Sequence, residues 1–296
     1  MKQSITYYLT LLVIRLKGIK RNFSQDPIDV SKIRKEDVHH PSGRFFKKYL
    51  LQTFKISDSN ISEIGVDKNA ENLLIFIHGG AFISGPAQHH WDTIIEIAKR
   101  TNYKIWMCDY PKAPESQIDK ISENIDTIYS SALEKHQADR ITIIGDSVGG
   151  TLVTALTQRL LIKKVALPNK LILVSPVMDA SMSNPDIEHY EQKDPMLSKT
   201  GVLSAKKMCA GNIDLKEPMI SPLYGTFEGF PKTLLFLAQN DIMYPDGKLA
   251  QLKMEKSHVN LKVFDGENMP HIWPFLPVMK EAKTALDKII DEIKVN

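Results

Sequence analysis

The sequence contains little of what several classes of protein require. Its 296 residues include two cysteines, Cys108 and Cys209, which are too few for a disulfide framework and form no CxxC motif. It has neither a GxGxxG segment nor a P-loop. Its 38 Lys and Arg residues nearly balance 35 Asp and Glu residues, and no segment forms a basic surface for nucleic acid. We therefore expect no cofactor and no nucleic-acid partner. The scarcity of cysteine favours a reducing, cytoplasmic location.

A long hydrophobic run is also missing. The apolar stretch at residues 5–14 is too short to span a bilayer, and no small-residue cleavage site of a signal peptide follows it. Apolar residues in it recur at helical i, i+3, i+4 spacing, at Ile5, Tyr8, Leu9, Leu12, Val13 and Leu16. We expect an amphipathic helix that packs on the body of the protein. Contact with membrane or lipid, and a signal or anchor, are the alternatives.

What the sequence does contain is a regular alternation of apolar runs and helical segments. The runs of strand length are Leu73 to Ile77, Ile105 to Cys108, Ile141 to Ile144, Leu171 to Val174, Leu234 to Leu237 and Leu261 to Phe264. Helical periodicity covers Trp91 to Arg100, Ile118 to Glu134, Gly149 to Lys163, Asp246 to Lys256 and Phe275 to Ile293. Near-continuous apolar strands between helices predict a doubly wound α/β domain with a mostly parallel sheet.

Two segments depart from this alternation. We predict that residues 1–50 form an N-terminal helical cap or lead-in and that residues 51–296 form the main α/β domain, which carries the candidate catalytic residues described below. Within that domain, residues 179–231 are too long for a plain crossover and contain several X-Pro pairs. We predict that this insertion is a cap over the carboxyl end of the sheet, together with part of the lead-in.

One strand ends at a serine between glycines. The order Gly145-x-Ser147-x-Gly149 is typical of the sharp strand-to-helix turn that projects a nucleophilic hydroxyl. Asp146 adjoins the serine, but its side chain points away across such a turn. We therefore look for an acid and a base at the ends of other strands, since ligands bind at the carboxyl ends of parallel strands.

Three other strands end in groups that acyl transfer needs. The run to Ile77 is followed by His78-Gly79-Gly80, whose paired glycines suit an oxyanion hole. We predict that the N–H groups of Gly79, Gly80 and Val148 are the donors. His78 is expected to orient this loop.

The acid and base follow the last two strands. Asp241 comes after the run to Leu237, and His271 comes after the run to Phe264. Ser147, Asp241 and His271 stand in the order of an α/β-hydrolase triad, in which the carboxylate orients the imidazole that activates the serine. Asp246 and Asp265 are rivals for the acid.

Paired histidines occur at His39-His40 and His89-His90. No cysteine or carboxylate stands at a usual ligand spacing from them, so we expect no metal site.

Taken together, three blocks resemble the hormone-sensitive-lipase-like esterases of the α/β-hydrolase superfamily. They are residues 78–85 (HGGAFISG), 109–115 (DYPKAPE) and 145–150 (GDSVGG), and the resemblance runs from about residue 73 to the C-terminus. It implies an α/β-hydrolase fold, a helical cap, and hydrolysis of carboxylic esters without a cofactor. The departures are Ala81 for a third glycine, Pro111 and Lys112 for the usual Arg-Leu pair, and Val148 for the usual alanine after the nucleophile.

The predicted function is a serine hydrolase that cleaves small carboxylic esters of short to medium acyl chain. An amidase or peptidase, or a lipid esterase, on the same triad are the enzymatic alternatives. A non-catalytic ligand-binding homologue is disfavoured because His271 is present. Weak membrane contact through the N-terminal helix and a homodimer are left open.

Overall fold

The computed structural model describes residues 3–295. Its helices are α1 (Ile5–Leu16), α2 (Ile19–Asn22), α3 (Val30–Ile33), α4 (Arg44–Tyr49), α5 (Gln88–Arg100), α6 (Ile118–Leu133), α7 (Val148–Lys163), α8 (Ile187–Glu191), α9 (Lys199–Ala210), α10 (Tyr244–Lys256) and α11 (Lys280–Lys294). Its strands are β1 (Leu50–Ile56), β2 (Ser59–Ile64), β3 (Asn72–Ile77), β4 (Tyr103–Asp109), β5 (Ile141–Asp146), β6 (Lys170–Val174), β7 (Lys232–Asn240) and β8 (Leu261–Pro270). Short 3₁₀ turns lie at Arg34–Glu36, Ala138–Arg140, Pro222–Tyr224 and Trp273–Phe275.

The strands form one eight-stranded sheet in the order β1-β2-β4-β3-β5-β6-β7-β8. Strand β2 is antiparallel to both of its neighbours, and the pairs from β4 through β8 are parallel. Helices α5 and α11 pack against each other, while α6 packs against α7. This is the α/β-hydrolase arrangement that the sequence predicts.

The core lies between the sheet and its helical layers. Strands β5 and β6 are buried at every position, and β3 at all but its first residue, which explains their continuous apolar runs. The predicted set of strands omits β1 and β2. Strand β1 is at the edge of the sheet and β2 lies next to it, and β1 mixes exposed and partly buried residues with only Ile56 buried.

Helix α1 forms as predicted, but it packs through a different face from the expected one. It contacts the body through the buried Tyr7 and Ile14, and the Tyr7 hydroxyl donates to Asn268 O at 2.8 Å. The predicted stripe at the other face is exposed, with 51–79% of each side chain accessible, at Ile5, Tyr8, Leu9, Leu12, Val13 and Leu16. The helix therefore packs on the body, as expected, but through Tyr7 and Ile14 and not through the stripe that the spacing singles out. Among residues 3–295, none of the helices combines the length and the apolar character that crossing a bilayer requires.

Residues 179–231 contain α8 and α9 and contact the N-terminal segment. Gly201 N donates to Phe23 O at 2.9 Å, and Ile28 N donates to Ser204 Oγ at 3.1 Å. A Cβ atom at Gly201 would lie 2.0 Å from Phe23 O, so the two segments are in direct backbone contact. Both segments line the cavity described below.

Candidate active site

Ser147 occupies a tight turn between β5 and α7. Its backbone has φ 52° and ψ −124°, a conformation that is strained for a residue with a side chain. Ser147 N donates to Val174 O at 2.9 Å, which fixes the turn to the neighbouring strand. The turn also needs Gly149, where a Cβ atom would lie 2.0 Å from Ile77 O. The Ser147 side chain is thereby placed at the carboxyl edge of the sheet, in front of the first turn of a helix.

Asp241 directly follows β7 and His271 directly follows β8, and their side chains are in contact. The Nδ1 atom of His271 lies 2.7 Å from Asp241 Oδ2, and both side chains are buried. Burial by itself would lower the pKa of His271, but the Asp241 carboxylate, with further contributions from the charges of Asp194 and Asp146, makes the net shift upward. The pair therefore has the geometry of an imidazole oriented by a carboxylate.

Neither rival acid contacts His271. Asp246 accepts a hydrogen bond from Asn184 Nδ2 at 2.8 Å, and its burial raises its pKa to about 6. Asp265 accepts from the Tyr244 hydroxyl at 2.8 Å. Of the three candidate carboxylates, only Asp241 is placed to orient the histidine.

In the glycine loop after β3, one of the predicted oxyanion-hole donors, the N–H of Gly79, is wrong. Gly79 N donates to Asp146 Oδ1 at 3.0 Å, so this N–H is already bonded within the protein and does not face an oxyanion. Within the described part of the chain, the N–H groups of Gly80, Ala81 and Val148 donate no hydrogen bond, and all three residues line the same cavity. Gly80 has φ 124°, and a Cβ atom there would lie 2.1 Å from Ser84 O. The spacing of the motif alone could not separate Gly79 from Ala81.

His78 is buried beneath this loop. Its Nδ1 lies 2.6 Å from Gly79 O, and its ring stacks on Tyr110 with centroids 4.5 Å apart. The Tyr110 hydroxyl donates to His78 O at 2.7 Å. Burial holds the pKa of His78 well below its usual value, and the contacts of its ring with Gly79 and Tyr110 place it beneath the loop in the orienting position that the sequence suggests.

Two histidines of α5, His89 and His90, lie close to the Asp146 carboxylate. One oxygen or nitrogen atom each of His89, His90 and Asp146 lies within 4.8 Å of the others. His90 Nδ1 accepts from Ala87 N at 2.9 Å, which leaves its Nε2 as the donor toward Asp146 at 3.3 Å. The Asp146 carboxylate thus binds the glycine loop on one side and the start of α5 on the other.

Arg34 stabilises the loops around the site, and sequence analysis missed it. Its guanidinium donates to Ile83 O at 2.7 Å and to Ala113 O at 2.8 Å, and it forms a bidentate pair with Glu115 at 2.6 and 2.8 Å. The hydrogen bonds from Arg34 lower the pKa of Glu115 to about 2. An arginine from the N-terminal segment therefore holds the DYPKAPE block, in which Pro111 stands where the family's usual arginine would be.

Asp194, from the insertion, lies beside the acid of the site and was also missed. It accepts hydrogen bonds from Met196 N at 2.7 Å, Leu197 N at 2.8 Å and Ile242 N at 3.0 Å. Burial, with the nearby charge of Asp241, raises the pKa of Asp194 to about 7. Since Ile242 directly follows Asp241, this carboxylate ties the insertion to the loop that carries the acid.

A cavity of about 620 Å³ brings the predicted groups together. Ser147, His271, Gly79, Gly80 and Val148 all line it, and Asp241 lies behind His271. Part of its apolar wall comes from the N-terminal segment and the insertion, at Ile14, Ile19, Phe23, Met196, Leu197 and Val202. Within residues 3–295 the Ser147 hydroxyl makes no hydrogen bond, and catalytic hydrogen bonds often form only once substrate is bound.

Fold and site together define an α/β hydrolase, and known proteins agree. A family model described as the alpha/beta hydrolase fold matches residues 74–275. An esterase from Acinetobacter venetianus is 30% identical over 247 residues, 81% of this chain and 80% of that protein. An ethyl acetate hydrolase from Pseudomonas putida is 22% identical over 229 residues, 75% of this chain and 72% of that one. The crystal structure of an esterase from the bacterial hormone-sensitive lipase family superposes with a TM-score of 0.88 at 21% identity, covering 99% of both chains.

The chain belongs to the α/β-hydrolase family. The Acinetobacter venetianus relative is an esterase, and the solved structure from the hormone-sensitive lipase family shares this fold.

Proposed function

We propose that this protein hydrolyses small carboxylic esters through an acyl-enzyme formed on Ser147. One observation carries the proposal: the Asp241–His271 pair, joined at 2.7 Å, opens into the same cavity as the strained turn that presents Ser147. The matched relatives named as an esterase and an ethyl acetate hydrolase support the same reaction class.

In the proposed reaction, His271 Nε2 takes the proton of the Ser147 hydroxyl while the serine oxygen attacks the ester carbonyl. The carbonyl oxygen becomes an oxyanion that the N–H groups of Gly80, Ala81 and Val148 stabilise. His271 then returns the proton to the departing alcohol, and water hydrolyses the acyl-enzyme by the same route. Asp241 holds the imidazole in the reactive tautomer throughout.

The cavity supports uncharged substrates of limited size. Its volume lies within the range of about 300–1,000 Å³ usual for small-molecule sites, and side chains such as Phe23, Leu197 and Val202 give it an apolar wall. Val148 is bulkier than the usual alanine and is buried next to the serine, which favours a narrow acyl side. We infer that the acyl group is short to medium in length.

Active-site labelling tests the nucleophile. A fluorophosphonate probe should label the wild-type protein and fail to label Ser147→Ala. Ser130→Ala is the matched control, because Ser130 is an exposed serine on α6 outside this cavity, and it should label like the wild type. Equal labelling of Ser147→Ala, or none of the wild type, would overturn the assignment.

A rate series tests the substrate class. We expect kcat/KM on nitrophenyl esters to peak between acetate and octanoate and to fall for longer chains. The matching nitroanilides should react far more slowly. A preference for anilides would favour the amidase alternative, and a rate that keeps rising with chain length would favour a lipid esterase.

A further inference from the structure

Helix α1 is apolar on two faces, and only one of them is covered by the protein. Tyr7 and Ile14 are buried against the body. On the opposite face, six large apolar side chains are 51–79% exposed. They account for six of the 13 exposed large hydrophobic residues in the described part of the chain, on a helix of 12 residues. A concentrated apolar patch of this kind marks an interaction surface.

A cationic groove lies at the end of this face. It has a volume of about 430 Å³ next to Leu16, and four basic residues line it, namely Arg15, Lys20, Arg21 and Lys193. Its one carboxylate, Asp194, is 1% exposed and bonded to backbone N–H groups. The sequence from residue 3 to residue 25 contains no acidic residue. Lys20 Nζ donates to backbone carbonyl oxygens, including Asp194 O at 2.8 Å, and Lys193 Nζ lies 2.8 Å from His189 Nε2, but within the described residues no carboxylate pairs with any of the four basic side chains. An apolar stripe beside positive charge that no carboxylate balances is typical of helices that lie in the interface of an anionic membrane.

We propose that α1 docks the protein on the surface of a bilayer that contains anionic lipids. The exposed stripe enters the acyl boundary, and the groove beside Leu16 binds lipid phosphate or carboxylate groups. A second copy of this chain fits less well, because residues 3–25 contain no acidic residue, so a two-fold contact through α1 offers these positive charges no opposite charge.

Docking in this orientation bears on the substrate. Ile14 and Lys17, on or just after α1, line the cavity that contains Ser147. The helix on the membrane is thus also a wall of the proposed ester site. Resting on the proposed function, this geometry assigns esters that partition into membranes as the substrate class, while the docking itself is independent of the reaction.

Vesicle sedimentation tests the docking on the full chain. We expect binding to vesicles of phosphatidylcholine with phosphatidylglycerol, weaker binding to phosphatidylcholine alone, and a loss of binding as salt increases. Leu9→Gln with Leu16→Gln should weaken binding at least about tenfold. Arg15→Gln with Arg21→Gln should weaken it about 25-fold on the anionic vesicles. Ile162→Gln with Leu252→Gln is the matched control, since those residues are 76% and 50% exposed on α7 and α10; it should bind like the wild type.

Each result decides the proposal. No binding of the wild type to anionic vesicles overturns it, as does equal binding of the Leu9/Leu16 variant. A wild-type dimer that the same two substitutions dissociate would assign the face to a second copy instead. Turnover of a water-soluble nitrophenyl ester, unchanged in the leucine variant, shows that the variant is folded. Vesicle binding without ester turnover would sink the proposed function and leave the docking intact.

Discussion

The strained nucleophile leads to a prediction about stability. Ser147 has φ 52° and ψ −124°, a conformation that glycine adopts freely. Ser147→Gly and Ser147→Ala both remove the hydroxyl, which has no hydrogen-bond partner within residues 3–295, so the two variants lose the same polar group. They differ only in Cβ. Comparing them isolates the cost of placing a Cβ atom in this backbone conformation.

The magnitude follows from two opposing contributions. Holding a non-glycine residue in such a region costs about 1–3 kcal/mol. Glycine itself lowers the free energy of unfolding by about 0.5–1 kcal/mol relative to alanine, because it makes the unfolded chain more flexible. The glycine variant should therefore be more stable than the alanine variant by about 1 kcal/mol, or about 2 °C in melting temperature for a protein of this size.

Thermal melting at one scan rate, with urea unfolding as the second measurement, checks this value. Both variants should be inactive on nitrophenyl esters, and Ser147→Ala should melt close to the wild type. A glycine variant that melts at or below the alanine variant would show that the turn stores no strain, and the reasoning from the backbone angles would then be refuted.

Three further predictions concern the groups around the serine. His271 must be neutral to accept a proton and its pKa is raised, so kcat/KM should rise with pH through a value above about 6.5. Asp241→Asn should lower kcat by roughly 10⁴-fold and move this rise to lower pH. A pH profile that Asp241→Asn leaves unchanged would contradict the pairing of Asp241 with His271. Asp194→Asn should also move the rise to lower pH, because the charge of Asp194 raises the pKa of His271, whereas an effect on stability alone would mean that Asp194 is only a structural contact. Arg34→Ala should lower the melting temperature by about 4 °C, for a loss of about 2 kcal/mol, and Arg34→Lys should recover only part of it. Below about pH 4.5 the difference in stability between Arg34→Ala and the wild type should shrink, since the pKa of Glu115 is lowered to about 2 and the contribution of the ion pair is lost as pH falls toward that value. Calorimetric melts across pH measure this, and a constant difference would count against the ion pair.

The parallel part of the sheet could be predicted because strands buried on both faces must be apolar throughout. Five of the eight strands, β3 to β7, appear in the sequence as such runs, and β8, at the other edge, appears only as the weaker run Leu261 to Phe264. Strand β1 could not be found in this way, since it lies at the edge and mixes apolar residues with exposed Gln52 and Lys55.

The N-terminal helix shows a second limit. Its periodicity identifies an apolar face correctly, but Tyr7 and Ile14 form another at the same helical spacing. Which face meets the body depends on distant partners, such as Asn268 at 2.8 Å from the Tyr7 hydroxyl. No local pattern contains that information.

In the candidate site, too, the residues that follow strands could be predicted from the sequence and the contacts between distant residues could not. Its reactive side chains stand directly after strands, where topology predicts them. The supporting contacts join residues far apart in the chain: Arg34 reaches Ala113, and Asp194 reaches Ile242. The correction at Gly79 has the same origin, because only the folded chain shows that Asp146 binds its N–H.

The close packing at Gly149 and Gly80 has a consequence for how specificity can evolve. A side chain at either position would meet a backbone oxygen at 2.0 or 2.1 Å, so the catalytic backbone leaves almost no room for neutral substitution. The outer walls of the cavity, by contrast, come from residues such as Phe23, Leu197 and Val202 in segments outside the sheet. Selection for new substrates can therefore change these wall residues while the catalytic groups stay fixed. Variant libraries at the wall residues should accordingly yield enzymes with altered ester preference.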